Sequence, residues 1–202
     1  MLIRRTLAIG LLTMSIGLAH GAAVVGQPAP DFAVRDATGQ EVKLSQFRGK
    51  HVVIEWMNPG CPFVRKHYES GNMPATQKDA MAKGVIWLSI HSNDDESWLY
   101  TKPAKLLEWV RGQKASPTAL LIDGNGAVGK AYGARTTPHM FVVSPTGMVL
   151  YAGGIDSIAS TDKDDIRTAT NHVKQAVSEA LAGRPVSVAS TRPYGCAIKY
   201  KS

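Results

Sequence analysis

The sequence has no second cysteine close to its first, no apolar run long enough to span a bilayer, no internal repeat and no concentrated block of basic residues. Each absence excludes something. The only cysteines are Cys61 and Cys196, and the position three after Cys61 is Val64. A local Cys-x-x-Cys disulfide is therefore impossible, and a disulfide-dense scaffold is excluded. The longest apolar run, Leu7 to Leu18, falls short of the ~20 residues a membrane-spanning helix needs. The formal charge of +7 is spread along the chain with no nucleic-acid motif beside it. It reads as a solvated basic surface and predicts no nucleic-acid partner.

What is present begins with a leader. Arg4 and Arg5 precede the apolar run, and small residues follow at Ala19, Gly21, Ala22 and Ala23. This is the pattern of a secretory signal peptide, expected over residues 1–22, with a retained anchor as the alternative. Cleavage removes two arginines and takes the formal charge from +7 to +5. It leaves no segment for stable membrane insertion and predicts a periplasmic or secreted protein. The remaining chain suffices for one domain with a substantial core, expected over 23–184, and a tail over 185–202 that carries Cys196. In an exported chain, two cysteines form a stabilising disulfide, a working pair, or two thiols in different redox states.

The apolar pattern alternates between strand and helix. His51-Val-Val-Ile-Glu-Trp56 and Val85-Ile-Trp-Leu-Ser-Ile90 are short and β-branched, as central strands covered on both faces should be. Residues 32–34, 41–44 and 119–122 are further strands. Thr136 to Val143 and Met148 to Ala152 flank the turn Ser144-Pro-Thr-Gly147 as a hairpin. Helices are predicted over about 62–70, 73–83 and 103–110. A last one is drawn through Ile166, Ala169, Val173, Val177, Ala180 and Leu181. Helical crossovers make the early strands parallel, and the hairpin adds antiparallel ones. The expected fold class is α/β: a mixed central sheet with helices on both faces and an irregular C-terminal tail.

The segment Glu55-Trp-Met-Asn-Pro-Gly-Cys-Pro-Phe-Val-Arg-Lys-His67 places Cys61 where a strand ends and a helix begins, with Pro62 at the first helical position. A thiol there faces the positive end of the helix, which favours thiolate, and Arg65, Lys66 or His67 would add to that. The competing readings are an inert buried cysteine or half of a structural bridge.

Three features, in order, carry a family resemblance. They are Gly26-Gln-Pro-Ala-Pro-Asp-Phe32, the strand-to-helix segment Trp56 to His67, and Thr136-Thr-Pro-His139 before a hairpin. The chain resembles the thioredoxin superfamily in its redoxin branch (AhpC/TSA, peroxiredoxin-like), and within it exported proteins with a Cys-Pro-Phe-Val motif. The resemblance covers about Val25 to Gly183, and the tail Thr191 to Tyr200 is similar to the end of that group. It implies a thioredoxin-like fold, Cys61 as attacking cysteine and Pro138 as a cis-proline facing it. Pro138 and Thr137 would present backbone to an extended substrate, and Glu55 would stand where many thioredoxins carry a buried, proton-handling acid. The chain departs from the pattern at Val64 and at Asn58, where peroxiredoxins have Thr or Ser.

Several residues keep two readings. Cys196 is either a resolving thiol on a flexible tail or the far half of a permanent Cys61–Cys196 staple; pairing between two chains is a third option. Glu55 is a proton relay, or a strand acid reaching the surface or a lysine. Asn58 bonds the turn that holds Cys61. His139 lies near Cys61 and tunes it or helps hold a metal, or is a plain hydrogen-bonded histidine. His67 is a surface or helix-packing residue, and Trp56, Trp87, Trp98 and Trp109 are core and edge packing. The expected activity is that of an exported thiol-disulfide oxidoreductase with no cofactor or metal. It would act on a protein or small-molecule disulfide and draw electrons from a thiol donor. The alternatives are a hydroperoxide reductase and a non-catalytic binding domain stapled by the disulfide.

Overall fold

The computed structural model describes residues 22–201, so all of the expected leader except Ala22 lies outside the described residues. β1 (Ala33–Arg35) and β2 (Glu41–Lys43) form a hairpin, and a short turn leads into β3 (Val52–Trp56). The chain continues through α1 (Pro62–Glu69), α2 (Asn72–Ala82), β4 (Ile86–His91), α3 (Pro103–Gly112), β5 (Ala119–Ile122) and α4 (Ala127–Tyr132). It ends with β6 (Thr136–Thr137), β7 (His139–Val143), β8 (Val149–Gly153), α5 (His172–Leu181) and β9 (Cys196–Ala197).

The central sheet has the strand order β5-β4-β3-β7-β8. β3 pairs parallel with β4, and β4 with β5. β7 runs antiparallel to β3, and β8 antiparallel to β7. Alternation along β3 divides the core. Val53, Met57 and Cys61 pack with α1, α2, α3 and α5 on one face. Ile54 and Trp56 pack with α4 and the β1–β2 hairpin on the other. This is the mixed sheet with both faces covered that the sequence predicts.

Glu55 is the one acid in β3 and is fully buried. It reaches neither the surface nor a lysine, which overturns that expectation. Tyr68 Oη, Trp87 Nε1 and Ser89 Oγ each donate to it at 2.9 Å, and Gln77 Nε2 at 3.3 Å. Burial raises its pKa and these four donors pull it part of the way back.

Three further expectations are corrected. The last helix does not begin near Ile166, which lies in a separate 3₁₀ turn, Asp164–Arg167. The Asn171 side chain accepts from Lys174 N at 2.9 Å and starts α5 there. Ile166 and Ala169 share the helical spacing but lie outside the core. Trp98 is 85% exposed, so it packs in neither core nor edge.

The third correction concerns the tail, which is irregular in backbone but tied down along its length. Thr191 N donates to Ala152 O at 3.2 Å, Ile198 N to Arg135 O at 3.0 Å and Lys199 N to Asn93 Oδ1 at 3.1 Å. The Tyr200 ring lies over Gly129, where a Cβ would stand 2.2 Å from the phenol oxygen. A chain whose polar backbone groups are paired in this way is an ordered strap, not a loose arm.

Candidate active site

The turn before α1 is built by Asn58. Its Oδ1 accepts from Gly60 N at 2.7 Å, its backbone carbonyl accepts from Cys61 N at 3.0 Å, and its Nδ2 donates to Leu99 O at 3.0 Å. Cys61 is the N-cap of α1, with extended backbone (φ −85°, ψ 120°) and Pro62 at the first helical position. Its side chain makes no capping bond. Instead the buried thiol donates to Thr137 O at 2.9 Å.

Thr137–Pro138 is a cis peptide, and it divides the expected strand 136–143 in two. His139–Val143 stays in the central sheet, whereas Thr136–Thr137 leaves it and pairs antiparallel with Cys196–Ala197. Thr137 stands opposite Cys196 in that register. One residue thus receives the Cys61 thiol on its carbonyl and the Cys196 strand along its edge. Both cysteines are free, and both stand against Thr137. The Cys196 thiol is pushed up to about 12, first by burial and then by the neighbouring Cys61, whose charge disfavours a second one. Cys61→Ser removes the neighbouring charge and leaves the burial. The pH midpoint of Cys196 alkylation by iodoacetamide is expected to fall from near 12 while staying above the ordinary 9.0. An unmoved midpoint would show that the two sulfurs do not communicate.

A buried polar cluster holds the tail in place. Tyr194 Oη donates to Asp156 Oδ1 and accepts from His67 Nε2 at 3.1 Å, while Asn72 Nδ2 donates to His67 Nδ1 at 2.9 Å. These partners assign His67 as the neutral Nε2–H tautomer. Burial lowers its pKa to about 4, and nearby Lys66 adds to the shift against the pull of Asp156. Lys66 Nζ donates to Ile158 O at 3.1 Å and Ser160 Oγ at 3.2 Å, and lies 3.8 Å from Asp156 Oδ2. Arg65 pairs with Glu69 on the surface at 2.6 Å. The three basic residues expected to act on Cys61 are thus committed elsewhere, and His67 is a buried anchor of the tail and not a surface residue.

Of the readings open to His139, the structure takes the plain hydrogen-bonded one. Strand alternation puts Met140 on the Cys61 face and Phe141 on the other. His139 shares the Phe141 face, stacks on that ring at 4.6 Å and accepts from Arg135 N at 3.4 Å. Burial, with Arg135 nearby, lowers its pKa to about 4. Of the six residues singled out, the structure brings Cys61, Cys196, Thr137, Pro138 and Asn58 to one corner of the fold. Glu55 faces the same side, but none of its four donors is Cys61. Asp156, Tyr194 and Gly195 were missed, and Lys66 was given the wrong partner. Only the Tyr-Gly-Cys run at 194–196 carried a signal: a glycine beside a cysteine marks a close backbone approach.

Thiol-disulfide oxidoreductase ResA of Geobacillus thermodenitrificans is 27% identical over 158 residues, 73% of this chain and 84% of that one. The crystal structure of an uncharacterized conserved protein from Geobacillus kaustophilus superposes with a TM-score of 0.74 at 28% identity, covering 88% of this chain and 93% of that one. The thioredoxin domain of a thiol-disulfide oxidoreductase from Bacteroides vulgatus shares the fold, with a TM-score of 0.53 at 19% identity over 73% of this chain and 98% of that one. The AhpC/TSA family model matches residues 25–152, which include the strand-to-helix cysteine and the cis-proline. With that match over more than half its length, the chain belongs to the AhpC/TSA family, in the redoxin branch of the thioredoxin superfamily.

Proposed function

We propose that this oxidoreductase of the AhpC/TSA family is an exported thiol-disulfide oxidoreductase in which Cys61 attacks and Cys196 resolves. The observation that carries the reading is the shared station at Thr137, whose carbonyl accepts the Cys61 thiol and whose backbone pairs with Cys196. The Cys61 thiolate attacks one sulfur of a disulfide RS–SR. The S–S bond breaks, Cys61–S–SR forms, and RS⁻ departs. With Cys61 in a disulfide, its charge no longer holds the Cys196 proton. Cys196 passes that proton to the departing thiolate, attacks the Cys61 sulfur and releases the second RS⁻. The disulfide is reduced to two thiols and the cysteines are oxidised to a Cys61–Cys196 bond, which an external thiol donor reduces again. Export rests on the leader pattern of residues 1–22.

Asn58 argues against hydroperoxide as the main substrate. It stands where peroxiredoxins have a hydroxyl, and both ends of its amide are spent on Gly60 and Leu99. The test is disulfide mapping. Reduced protein treated with glutathione disulfide is expected to give one intramolecular Cys61–Cys196 bond by mass spectrometry. In a thiol buffer that bond should titrate within the range of catalytic pairs, about −120 to −270 mV. A bond that resists reduction below about −300 mV would mark a structural staple, and bonds between chains would remove the resolving role.

A further inference from the structure

We infer that the C-terminal strand is a built-in occupant of the edge on which an extended polypeptide would dock, and that it directs Cys61 toward small-molecule disulfides. The inference rests on Cys61 being the attacking thiol. β6 has two residues, and among the described residues it pairs only with β9. A polypeptide presenting its own cysteine to Cys61 would have to add itself to this edge, where main-chain hydrogen bonds supply the affinity. The edge is taken. Thr136 pairs with Ala197 and Thr137 with Cys196, and Ile198 N donates to Arg135 O at 3.0 Å. The tail even presents a cysteine at the register position opposite Thr137.

The fit depends on Gly195. Its φ is +129°, and a Cβ there would lie 2.0 Å from Thr137 O and 3.3 Å from Pro138 Cδ. No other residue brings the strap this close to the cis peptide without displacing it. The strap is fastened on both sides of the pairing. Upstream, Tyr194 bonds to Asp156 and His67 and packs edge-on against Phe63 at 5.8 Å. Downstream, Lys199 exchanges hydrogen bonds with Asn93 and Asp94, and Tyr200 Oη donates to Ala134 O at 2.7 Å. A polypeptide must displace several of these bonds at once. A small disulfide needs only a line of approach to one sulfur, which a local opening of a two-residue strand provides.

The test compares two disulfides of equal chemistry: glutathione disulfide, and a short extended peptide whose single cysteine carries glutathione. A Cys196→Ser background stops each reaction at the Cys61 adduct, so adduct formation reads attack alone. Gly195→Val is then added to lift the strap. A second variant, truncated after Ala189, removes the strap in case the valine variant fails to fold. In both, the peptide-to-small-molecule rate ratio is expected to rise about ten-fold over Cys196→Ser, the glutathione disulfide rate itself moving by less than about threefold. Equal acceleration of both rates would show that the strap merely shields the thiol, and an unchanged ratio would show that it does not hold the docking edge; either overturns the inference. If no variant, Cys196→Ser included, reacts with either disulfide, the reading of Cys61 as nucleophile falls first and takes the inference with it.

Discussion

Cys61→Ser is expected to lower disulfide-reducing turnover by about three orders of magnitude or more, the scale seen when a nucleophile is removed. Serine keeps the donor to Thr137 O and nearly the shape of the buried thiol, so the fold should survive with a loss of no more than about 1–2 kcal/mol. Turnover then collapses for want of sulfur and not for want of structure. Cys196→Ser should behave differently. It keeps the first attack, releases one thiol per chain in a single burst and stops as the Cys61 mixed disulfide. Glutathione disulfide reduction coupled to an external dithiol, with the burst quantified separately, distinguishes the two variants. Residual turnover above about a tenth of wild type in Cys61→Ser would move the chemistry elsewhere. Equal loss of the burst in both variants would make the pair inseparable.

The central sheet was legible in the sequence because its signal is local. Val52 to Trp56 and Ile86 to Ile90 are short β-branched runs, and burial on both faces requires no more than that. Cys61 was equally legible, because a proline at a first helical position after a strand names the cap before it. What was hidden is non-local. Lys66, His67 and Arg65 are identical evidence in one dimension: three basic residues behind a cysteine. Only the packing of Asp156 and Tyr194 from distant segments decides that two of them are buried anchors. The tail shows the same limit. Its residues have no period because its order comes from pairing with Thr136–Thr137 and from rings laid over glycines, neither of which leaves a repeat. His139 takes the plain hydrogen-bonded reading and not the one beside Cys61, for a simpler reason. Adjacency to a cis-proline in sequence says nothing about which face of the sheet a strand residue takes, and alternation turned it away from Cys61.

The buried histidines are expected to make the protein acid-labile. His67 and His139 each have a folded-state pKa near 4 against an ordinary 6.5, chiefly because burial penalises the charged form. Between these values the unfolded chain binds a proton at each site and the folded chain does not. Stability therefore falls as pH drops from 6.5 toward 4 and is fully present above 6.5. A shift of about 2.5 units corresponds to about 3 kcal/mol per site, and the two sites lie on opposite faces of the sheet, so their effects should nearly add. About 6 kcal/mol is comparable to the whole stability of many domains. Glu55, with its raised pKa, acts in the opposite sense, since its protonation favours the folded state, and softens the acid end of the curve. His67 and His139 together are expected to make stability in urea denaturation fall by about 2.7 kcal/mol per pH unit in the middle of this window, the slope of two protons, and His91, whose pKa burial also lowers, adds in the same sense. Replacing either histidine by asparagine should remove one proton's worth of slope; a slope unchanged by both replacements would sink the assignment. The two sites also differ in what they release. The His139 ring stacks on Phe141 and accepts from Arg135 N, whereas protonated His67 could no longer accept from Asn72 and would put a second cation beside Lys66, next to the bond that fastens Tyr194. Hydrogen exchange of the Cys196 and Ala197 amides should therefore accelerate on acidification before the central strands do, and His67→Asn should abolish that early phase while His139→Asn leaves it in place.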